Sequence, residues 1–116
     1  MEHSFDFVIL LDIYGELLSN GQREALDMKY NADLSLAETA EEIGGVSRQS
    51  VHYSIKNGER RLLELEEKLG FAKRLRTLSA KLDRAEALLD ELSADYSSDK
   101  RFDEINDILS EVKRGL

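Results

Sequence analysis

Residues 35–51 read SLAETAEEIGGVSRQSV, and this stretch contains the signals for two helices joined by a tight turn. Ser35 and Glu38 form a capping box that begins the first helix. The two adjacent glycines end that helix, because glycine adopts positive φ at little cost. Ser47 then caps the second helix. A helix, a glycine turn and a capped second helix are the pattern of a helix-turn-helix motif.

Apolar residues at helical spacing predict which side of each motif helix faces the core. For the second helix, Val46 and Val51 are placed to form a hydrophobic staple around the cap. For the first helix, the inward face is expected to consist of Leu36, Ala37, Ala40 and Ile43.

The composition favours an all-α fold. The 116 residues include no proline, 41% of them are hydrophobic, and no segment shows the alternation of β-branched residues that is typical of strands. A chain of this length forms one domain, or a small domain with an extension. We therefore predict a helix-turn-helix domain at residues 1–69, whose long last helix leads into a C-terminal antiparallel helical extension at residues 70–116.

The sequence lacks the patterns of several kinds of site. There is no cysteine, and His3 and His52 are too far apart in the sequence to form a metal pair by themselves. We find no nucleophile constellation and no phosphate-binding loop, so we expect no enzyme activity, no cofactor and no metal. No apolar run approaches the ~20 residues of a membrane helix, and the acidic start is unlike a signal peptide, which favours the cytoplasm.

The net charge of −8 is unevenly distributed along the chain. Residues 1–46 carry a net charge of −8, residues 47–84 carry +5, and residues 85–116 carry −5. Positive charge therefore begins where the second motif helix begins. This basic segment either binds phosphate groups or neutralises acidic helices of the same protein or of a partner.

Two helices are predicted before the motif. The first runs from Phe5 to Leu18, and its wide apolar face indicates burial in the core or at a subunit contact. The second begins at Ser19, whose capping box is completed by Gln22, and ends near Tyr30. The apolar residues of the first helix are Phe7, Ile9, Leu10, Leu11, Ile13, Tyr14, Leu17 and Leu18.

The second motif helix is predicted to continue to Leu69, because apolar residues recur along it every three or four positions. Gly58 lies on this seam, although glycine costs a helix about 1 kcal/mol relative to alanine. We infer that the backbone of another element passes close to Gly58. The seam consists of Val51, Ile55, Gly58, Leu62, Leu65 and Leu69.

Two further helices are predicted after Gly70, which ends the long helix. A turn at residues 94–98 separates them, and Ser98 or Asp99 caps the second. Their apolar stripes suit an intramolecular bundle or a symmetric contact, and we expect a homodimer. The stripes are Phe71, Leu75, Leu78, Leu82, Ala85, Leu89 and Leu92 in one helix, and Phe102, Ile105, Leu109 and Val112 in the other.

The outward side of the second motif helix is the candidate nucleic-acid-binding surface. With Val51 and Ile55 inward, the helical period places a stripe of polar side chains without an acidic residue on the opposite side. Glutamine reads adenine in the major groove, lysine and arginine bind guanine or phosphate, and the helix start suits a phosphate. A solvated face without a ligand is the alternative. The candidate residues are Ser47, Arg48, Gln49, Ser50, His52, Tyr53, Lys56 and Arg60.

Several segments of the chain resemble one known family. They are residues 5–7 (FDF), 10–18 (LLDIYGELL), 22–26 (QREAL), 33–38 (DLSLAE), 46–51 (VSRQSV), 55–56 (IK) and 59–62 (ERRL). In these segments the sequence is similar to the YlxM-type helix-turn-helix family of Gram-positive bacteria, over about residues 3–75. The resemblance implies a cytoplasmic, all-helical protein. It also implies a link to the signal recognition particle of co-translational membrane targeting, with the particle's RNA or GTPase as partner.

Two features depart from that family. Its turn usually has one residue fewer than Ile43-Gly44-Gly45-Val46, so the extra glycine is expected to affect the angle between the motif helices. Beyond about residue 85 we find none of its motifs. The motif is also similar to the promoter-reading domain of sigma factors. Three functions therefore stay open: an accessory protein of the particle, a DNA-binding transcription regulator, and a structural dimer that binds no nucleic acid.

Overall fold

The computed structural model describes residues 6–96 and 98–116, and this part of the chain is all-helical, without a strand. The all-α prediction is therefore confirmed. The expectations that concern His3, Phe5 and Ser97 lie outside the described residues. The six α-helices are α1 (Phe7–Tyr14), α2 (Asn20–Tyr30), α3 (Leu36–Ile43), α4 (Arg48–Leu69), α5 (Phe71–Asp95) and α6 (Arg101–Arg114).

The helices form two compact units, of which the first extends to Ala72 and the second begins at Lys73. In the first unit, α4 packs against α1, α2 and α3, so it is the element that the other three helices share. None of the helices in residues 6–96 and 98–116 combines the length and apolar character needed to cross a membrane. The core of the first unit consists of Leu10, Leu11, Tyr14, Leu18, Ala25, Leu26, Val51, Ile55, Leu62, Leu65 and Ala72.

The local signals for the starts of α2, α3 and α4 and for the ends of α3 and α4 are confirmed. Complete capping boxes form at Ser19 and at Ser35. Gly44 and Gly45 have φ of +80° and +72° in the turn of the motif, and Gly70 has φ of +65° at the end of α4. These conformations favour glycine, which has no Cβ to clash. Signals of this kind act over four or five residues and therefore do not depend on tertiary packing.

The first helix is shorter than the sequence predicted. α1 ends at Tyr14, and Gly15–Leu17 form a 3-10 turn that is closed by a hydrogen bond from the Leu18 amide to the Gly15 carbonyl (3.1 Å). The tighter turn has three residues instead of 3.6, which changes the direction of the side chains that follow. Leu17 is 59% exposed and Ile9 is 47% exposed, so neither side chain belongs to the core of the first unit.

The buried side of α3 also differs from the prediction. Leu36 and Ala37 are exposed, Ala40 and Ile43 are half-buried, and Thr39 is fully buried. The inward positions predicted for the first turn were therefore wrong. Because α3 has only eight residues, its contact with α4 decides which side is covered, and the apolar spacing within the helix does not.

Gly58 lies against α2, and a close contact with another element was predicted at this position. The nearest atoms belong to side chains of α2. A Cβ built on Gly58 would lie 2.7 Å from Leu26 Cδ1 and 3.4 Å from Gln22 Cβ. The side chain of Leu26 fills the space left by the glycine, and α2 packs closely on α4 at this point. Leu69, at the end of the same seam, is 40% exposed rather than buried.

The second unit is a pair of antiparallel helices. Lys113 Nζ, near the end of α6, lies 2.6 Å from Asp83 Oδ1 and 2.8 Å from Glu86 Oε1, in the middle of α5. Because α6 follows the end of α5, this contact requires the two helices to run in opposite directions. The antiparallel extension that the sequence predicts is thus present as an α5–α6 hairpin.

The connection between α5 and α6 has the predicted length of five residues but begins and ends two residues later, at residues 96–100. α5 continues to Asp95, so the expected turn at residues 94–98 was wrong at its start. Lys100 occupies the N-cap position of α6, and neither Ser98 nor Asp99 does. Asp99 still acts near this position, because its carboxylate accepts a hydrogen bond from the amide of Arg101 (3.0 Å).

Candidate nucleic-acid interface

The start of α4 is well defined. The side chain of Ser47 accepts a hydrogen bond from the amide of Ser50 (3.0 Å), as expected for an N-cap. The first turn of α4 contains no acidic residue, and Arg48 is its first residue. The amides at a helix start carry partial positive charge, so this end of α4 provides an environment that favours anions.

The buried and exposed sides of α4 are clearly separated. Val51 and Ile55 are each 2% exposed, whereas Tyr53 on the opposite side is 70% exposed. The structure therefore places the predicted polar stripe in solvent, with the remaining candidates beside it or at the start of the helix. All eight candidate residues are exposed: Ser47, Arg48, Gln49, Ser50, His52, Tyr53, Lys56 and Arg60.

Two cations of the stripe contact neighbouring polar side chains. Arg60 Nη1 donates a hydrogen bond to Asn57 Oδ1 (2.9 Å), one turn earlier on α4. Lys56 Nζ lies 3.8 Å from Glu59 Oε1, and the Lys56 side chain is still 58% exposed. Both cations remain accessible to a large anionic ligand.

Glu59 is a buried acidic residue directly beneath this stripe, and it was not among the residues predicted for the site. It is 9% exposed, and its carboxylate accepts hydrogen bonds from the hydroxyl of Tyr30 and from Lys29 Nζ (3.2 Å). Its spacing, four residues after Ile55 and three before Leu62, was a sequence signal for the core side of α4.

The hydrogen bonds of Glu59 join α2 to α4. Burial, and then the hydrogen bond to the carboxylate, raises the pKa of the Tyr30 hydroxyl well above its usual value. Tyr30 is therefore protonated and a donor at neutral pH. These contacts fix the rotation of α4 relative to α2, and so fix which of its side chains face outward.

A cavity of about 270 Å³ lies beside the stripe, where α2, α3 and α4 meet. Two lysines and a histidine line it together with apolar side chains, which suits a phosphate group next to an apolar part of a ligand. Sequence patterns did not reveal this cavity, because the packing of α2 on α4 brings Lys29 to it. The lining residues are Lys29, Leu34, Ser35, Leu36, His52, Ile55 and Lys56.

A larger groove between α1 and α2 has the opposite character. It measures about 910 Å³, and four carboxylates line it: Asp12, Glu16, Glu24 and Asp27. Arg23 is also part of its lining. The acidic majority disfavours phosphate binding there. Within the first unit, the α4 surface is therefore the better candidate for contact with a nucleic acid.

Comparison with a family model and comparison with individual proteins both identify the same family. Residues 1–109 match the UPF0122 family model, described as "Putative helix-turn-helix protein, YlxM / p13 like". The chain is 37% identical over 113 residues to a UPF0122 protein of Clostridium kluyveri, covering 97% of this chain and 94% of that protein. It is 42% identical over 98 residues to a UPF0122 protein of Acetivibrio thermocellus, covering 84% and 81% of the two chains.

The resemblance to the YlxM-type family is thereby confirmed. The family model also includes α5 and most of α6, so the family extends beyond residue 85, where no family motif was expected.

Proposed function

We propose that this chain, which belongs to the UPF0122 family of YlxM- and p13-like helix-turn-helix proteins, is an accessory protein of the signal recognition particle that binds nucleic acid through α4. The observation that carries the proposal is the exposed stripe of Gln49, Tyr53, Lys56 and Arg60 on α4. The stripe follows a capped, acid-free helix start in the second helix of the motif.

The charge distribution supports a specific rather than a general contact. Nucleic-acid phosphates attract lysine and arginine, and this attraction supplies most non-specific affinity. The net charge of −8 opposes loose binding at most of the surface, while residues 47–61, in the first part of α4, contain four basic side chains and one acidic one. Binding is therefore expected to be confined to the α4 surface and to depend on correct docking.

The cavity beside the stripe gives the ligand a second point of contact. Lys29 and His52 line it beside Lys56, so a phosphate there would interact with cations from two helices. Lys29 also contacts Glu59, which holds its ammonium group between α2 and α4. A preformed cationic pocket lowers the entropic cost of binding, because fewer side chains must be ordered.

The pathway part of the proposal comes from the family resemblance, which associates such proteins with the particle. We favour it over a transcription regulator for that reason, and because the net acidity disfavours loose DNA binding. The third possibility, a structural dimer without a nucleic-acid ligand, makes no use of the exposed cations.

Titration of one fluorescently labelled sample against the particle's RNA, its GTPase and random duplex DNA tests the proposal. We expect saturable binding at low salt, tighter for the RNA or the GTPase than for the DNA. Lys56→Gln and Arg60→Gln should each weaken binding to the RNA. Lys68→Gln, an exposed change of the same charge near the end of α4, is the matched control.

The other outcomes decide between the remaining functions. Tighter binding to DNA, with a preferred two-fold symmetric site, would instead support a transcription regulator. Binding to the GTPase alone, unaffected by Lys56→Gln, would refute the nucleic-acid part of the proposal. Absence of saturable binding to all three ligands would leave the structural dimer.

A further inference from the structure

We propose that the α5–α6 hairpin pairs with the hairpin of a second copy, forming an antiparallel four-helix bundle whose two-fold axis passes near Ala85. This inference concerns assembly and does not depend on the proposed function. Four features of the second unit support it: incomplete burial, a shared apolar face, symmetric spacing of that face, and the charge distribution along α5.

The hairpin by itself buries little. Among the described residues from Lys73 onward, none is buried, and each apolar side chain is half-buried or exposed. Two helices of this length gain most of their stability from packing of their apolar sides. The hairpin therefore has apolar surface available for a further helical layer.

The packed and the exposed apolar residues occupy different sides of each helix. Where α5 runs beside α6, Leu82, Ala85, Glu86, Leu89 and Ser93 are half-buried, and on α6 the half-buried set is Phe102, Asn106, Leu109 and Lys113. Along this stretch the large exposed apolar residues are Leu88 (46%) and Leu92 (51%) on α5, with Ile105 (39%), Ile108 (53%) and Val112 (44%) on α6, and Leu78 (41%) is exposed earlier on α5.

These exposed residues lie on one common face of the hairpin. At 100° per residue, the exposed apolar residues of each helix lie about a quarter turn around the helix axis from its half-buried residues. Viewed from the N-terminus of each helix, this rotation has the same direction in α5 and in α6. Two parallel helices would therefore present these sets on opposite faces. Because α5 and α6 are antiparallel, the two sets lie on the same face.

The spacing along α5 is symmetric about Ala85. Leu78 precedes Ala85 by seven residues and Leu92 follows it by seven, so all three lie on the same side of the helix. In an antiparallel pair centred on Ala85, Leu78 of one copy faces Leu92 of the other. The small side chain of Ala85 at the centre permits close approach of the two helices.

The charges along α5 favour the same arrangement. Residues 73–84 contain five basic side chains and one acidic one, whereas residues 85–95 contain four acidic side chains and no basic one. Antiparallel pairing places each basic half against the acidic half of the second copy. It also brings Arg74 near Asp95 of the second copy. A parallel pair would place like charges together.

The size of the face is adequate for a dimer. α5 has 25 residues and α6 has 14, so they are about 37 Å and about 21 Å long. Two adjacent helices are about 20 Å wide. A face of this size is of the order of the ~800 Å² per partner that specific interfaces bury.

Cysteine crosslinking tests the axis directly, because the natural chain has no cysteine. Under mild oxidation, Ala85→Cys should give a covalent dimer, since a disulfide requires Cα atoms within about 7 Å. Ala87→Cys, exposed on another side of α5, is the control and should not crosslink. Leu78→Cys and Leu92→Cys should crosslink when mixed, but neither should crosslink alone.

Light scattering provides a second measurement that does not require oxidation. The parent chain should have about twice its 13.2 kDa mass at micromolar concentration. Leu92→Glu and Ile108→Glu should give the monomer mass with unchanged helical circular dichroism, whereas Ala87→Glu should remain dimeric. A monomeric parent would overturn the proposal, and so would a dimer that these glutamates do not affect. Crosslinking of Leu78→Cys alone would indicate parallel pairing and would also overturn it.

Discussion

The hydroxyl of Tyr14 donates a hydrogen bond to Glu66 Oε1 at 2.7 Å, and thereby joins α1 to the last part of α4. The same carboxylate oxygen accepts the amide of Ala72 (3.0 Å), and the Tyr14 oxygen accepts the amide of Phe71 (3.1 Å). Two amides at the start of α5 are thus satisfied by side chains from α1 and α4. These contacts hold Phe71 and Ala72 in the first unit.

Tyr14→Phe tests the contribution of this network to stability. The variant keeps the ring that stacks on Phe71 but removes the hydroxyl, which leaves the Phe71 amide and Glu66 each with one partner fewer. We expect a loss of about 1–3 kcal/mol in the free energy of unfolding. Urea denaturation measures it, with the exposed Tyr96→Phe as control. Equal stability of both variants would show that the hydroxyl of Tyr14 contributes nothing to stability.

Stability is expected to fall in alkaline solution. Burial raises the pKa of the Tyr14 hydroxyl above its ordinary value of 10.0, and burial also raises that of Tyr30. Each tyrosine holds its proton more tightly in the folded than in the unfolded protein. Its stabilising contribution is therefore complete below about pH 10 and decreases as the pH rises further.

A double Tyr14→Phe, Tyr30→Phe variant isolates this effect from lysines, which titrate in the same range. The measurement covers roughly pH 9.5 to 11, the range around the ordinary pKa of tyrosine. Over this range the free energy of unfolding should decrease less steeply with pH in the variant than in the parent. Parallel curves for the two proteins would contradict the assignment. Urea denaturation at each pH provides the measurement.

Features that depend on neighbouring residues, such as the helix caps, could be predicted from the sequence. Features that depend on how the helices pack, such as which side of α3 is buried, could not. The serine caps at Ser19, Ser35 and Ser47 each bond an amide three residues later, so the sequence alone specifies them. Thr39 is buried because of how α3 lies on α4, and no pattern within eight residues indicates that orientation. Likewise, Lys29 reaches the cavity beside α4 only through the packing of α2.

Thr39 provides a test of that packing. It is fully buried, and its hydroxyl has no hydrogen-bond partner among the residues that the structure describes. Thr39→Val keeps the shape and removes the unpaired hydroxyl, so the free energy of unfolding should rise by about 1 kcal/mol. Thr39→Ser keeps the hydroxyl and loses a methyl group, and should be less stable than the parent. A less stable valine variant would indicate that the hydroxyl is satisfied in solution.

Gly58 and Gly21 form a matched pair of helical glycines. A Cβ on Gly58 would lie 2.7 Å from Leu26 Cδ1, and Leu26 is fully buried and cannot easily move away. A Cβ on Gly21 would have no neighbour within 4 Å. In Gly58→Ala, overpacking should lower the free energy of unfolding by about 1–3 kcal/mol. The higher helix propensity of alanine should offset up to about 1 kcal/mol of this loss. Gly21→Ala should be neutral or stabilising, and thermal melts of both variants provide the comparison.

The salt dependence of binding separates phosphate contacts from base contacts on α4. If three or four cations contact phosphates, the logarithm of the affinity for duplex DNA should fall with the logarithm of salt concentration with a slope of about −3. Lys56→Gln or Arg60→Gln should weaken binding to all sequences alike and reduce this slope by about one.

Gln49→Ala should behave differently from the two charge variants. It should leave the slope unchanged and alter the sequence preference, by about 1–3 kcal/mol for a good base contact. Lys68→Gln should affect neither quantity, because its side chain lies near the other end of α4. If Lys68→Gln reduced the slope as much as Lys56→Gln, binding would follow overall charge rather than docking of the exposed stripe. If Gln49→Ala weakened all sequences equally, Gln49 would not read a base.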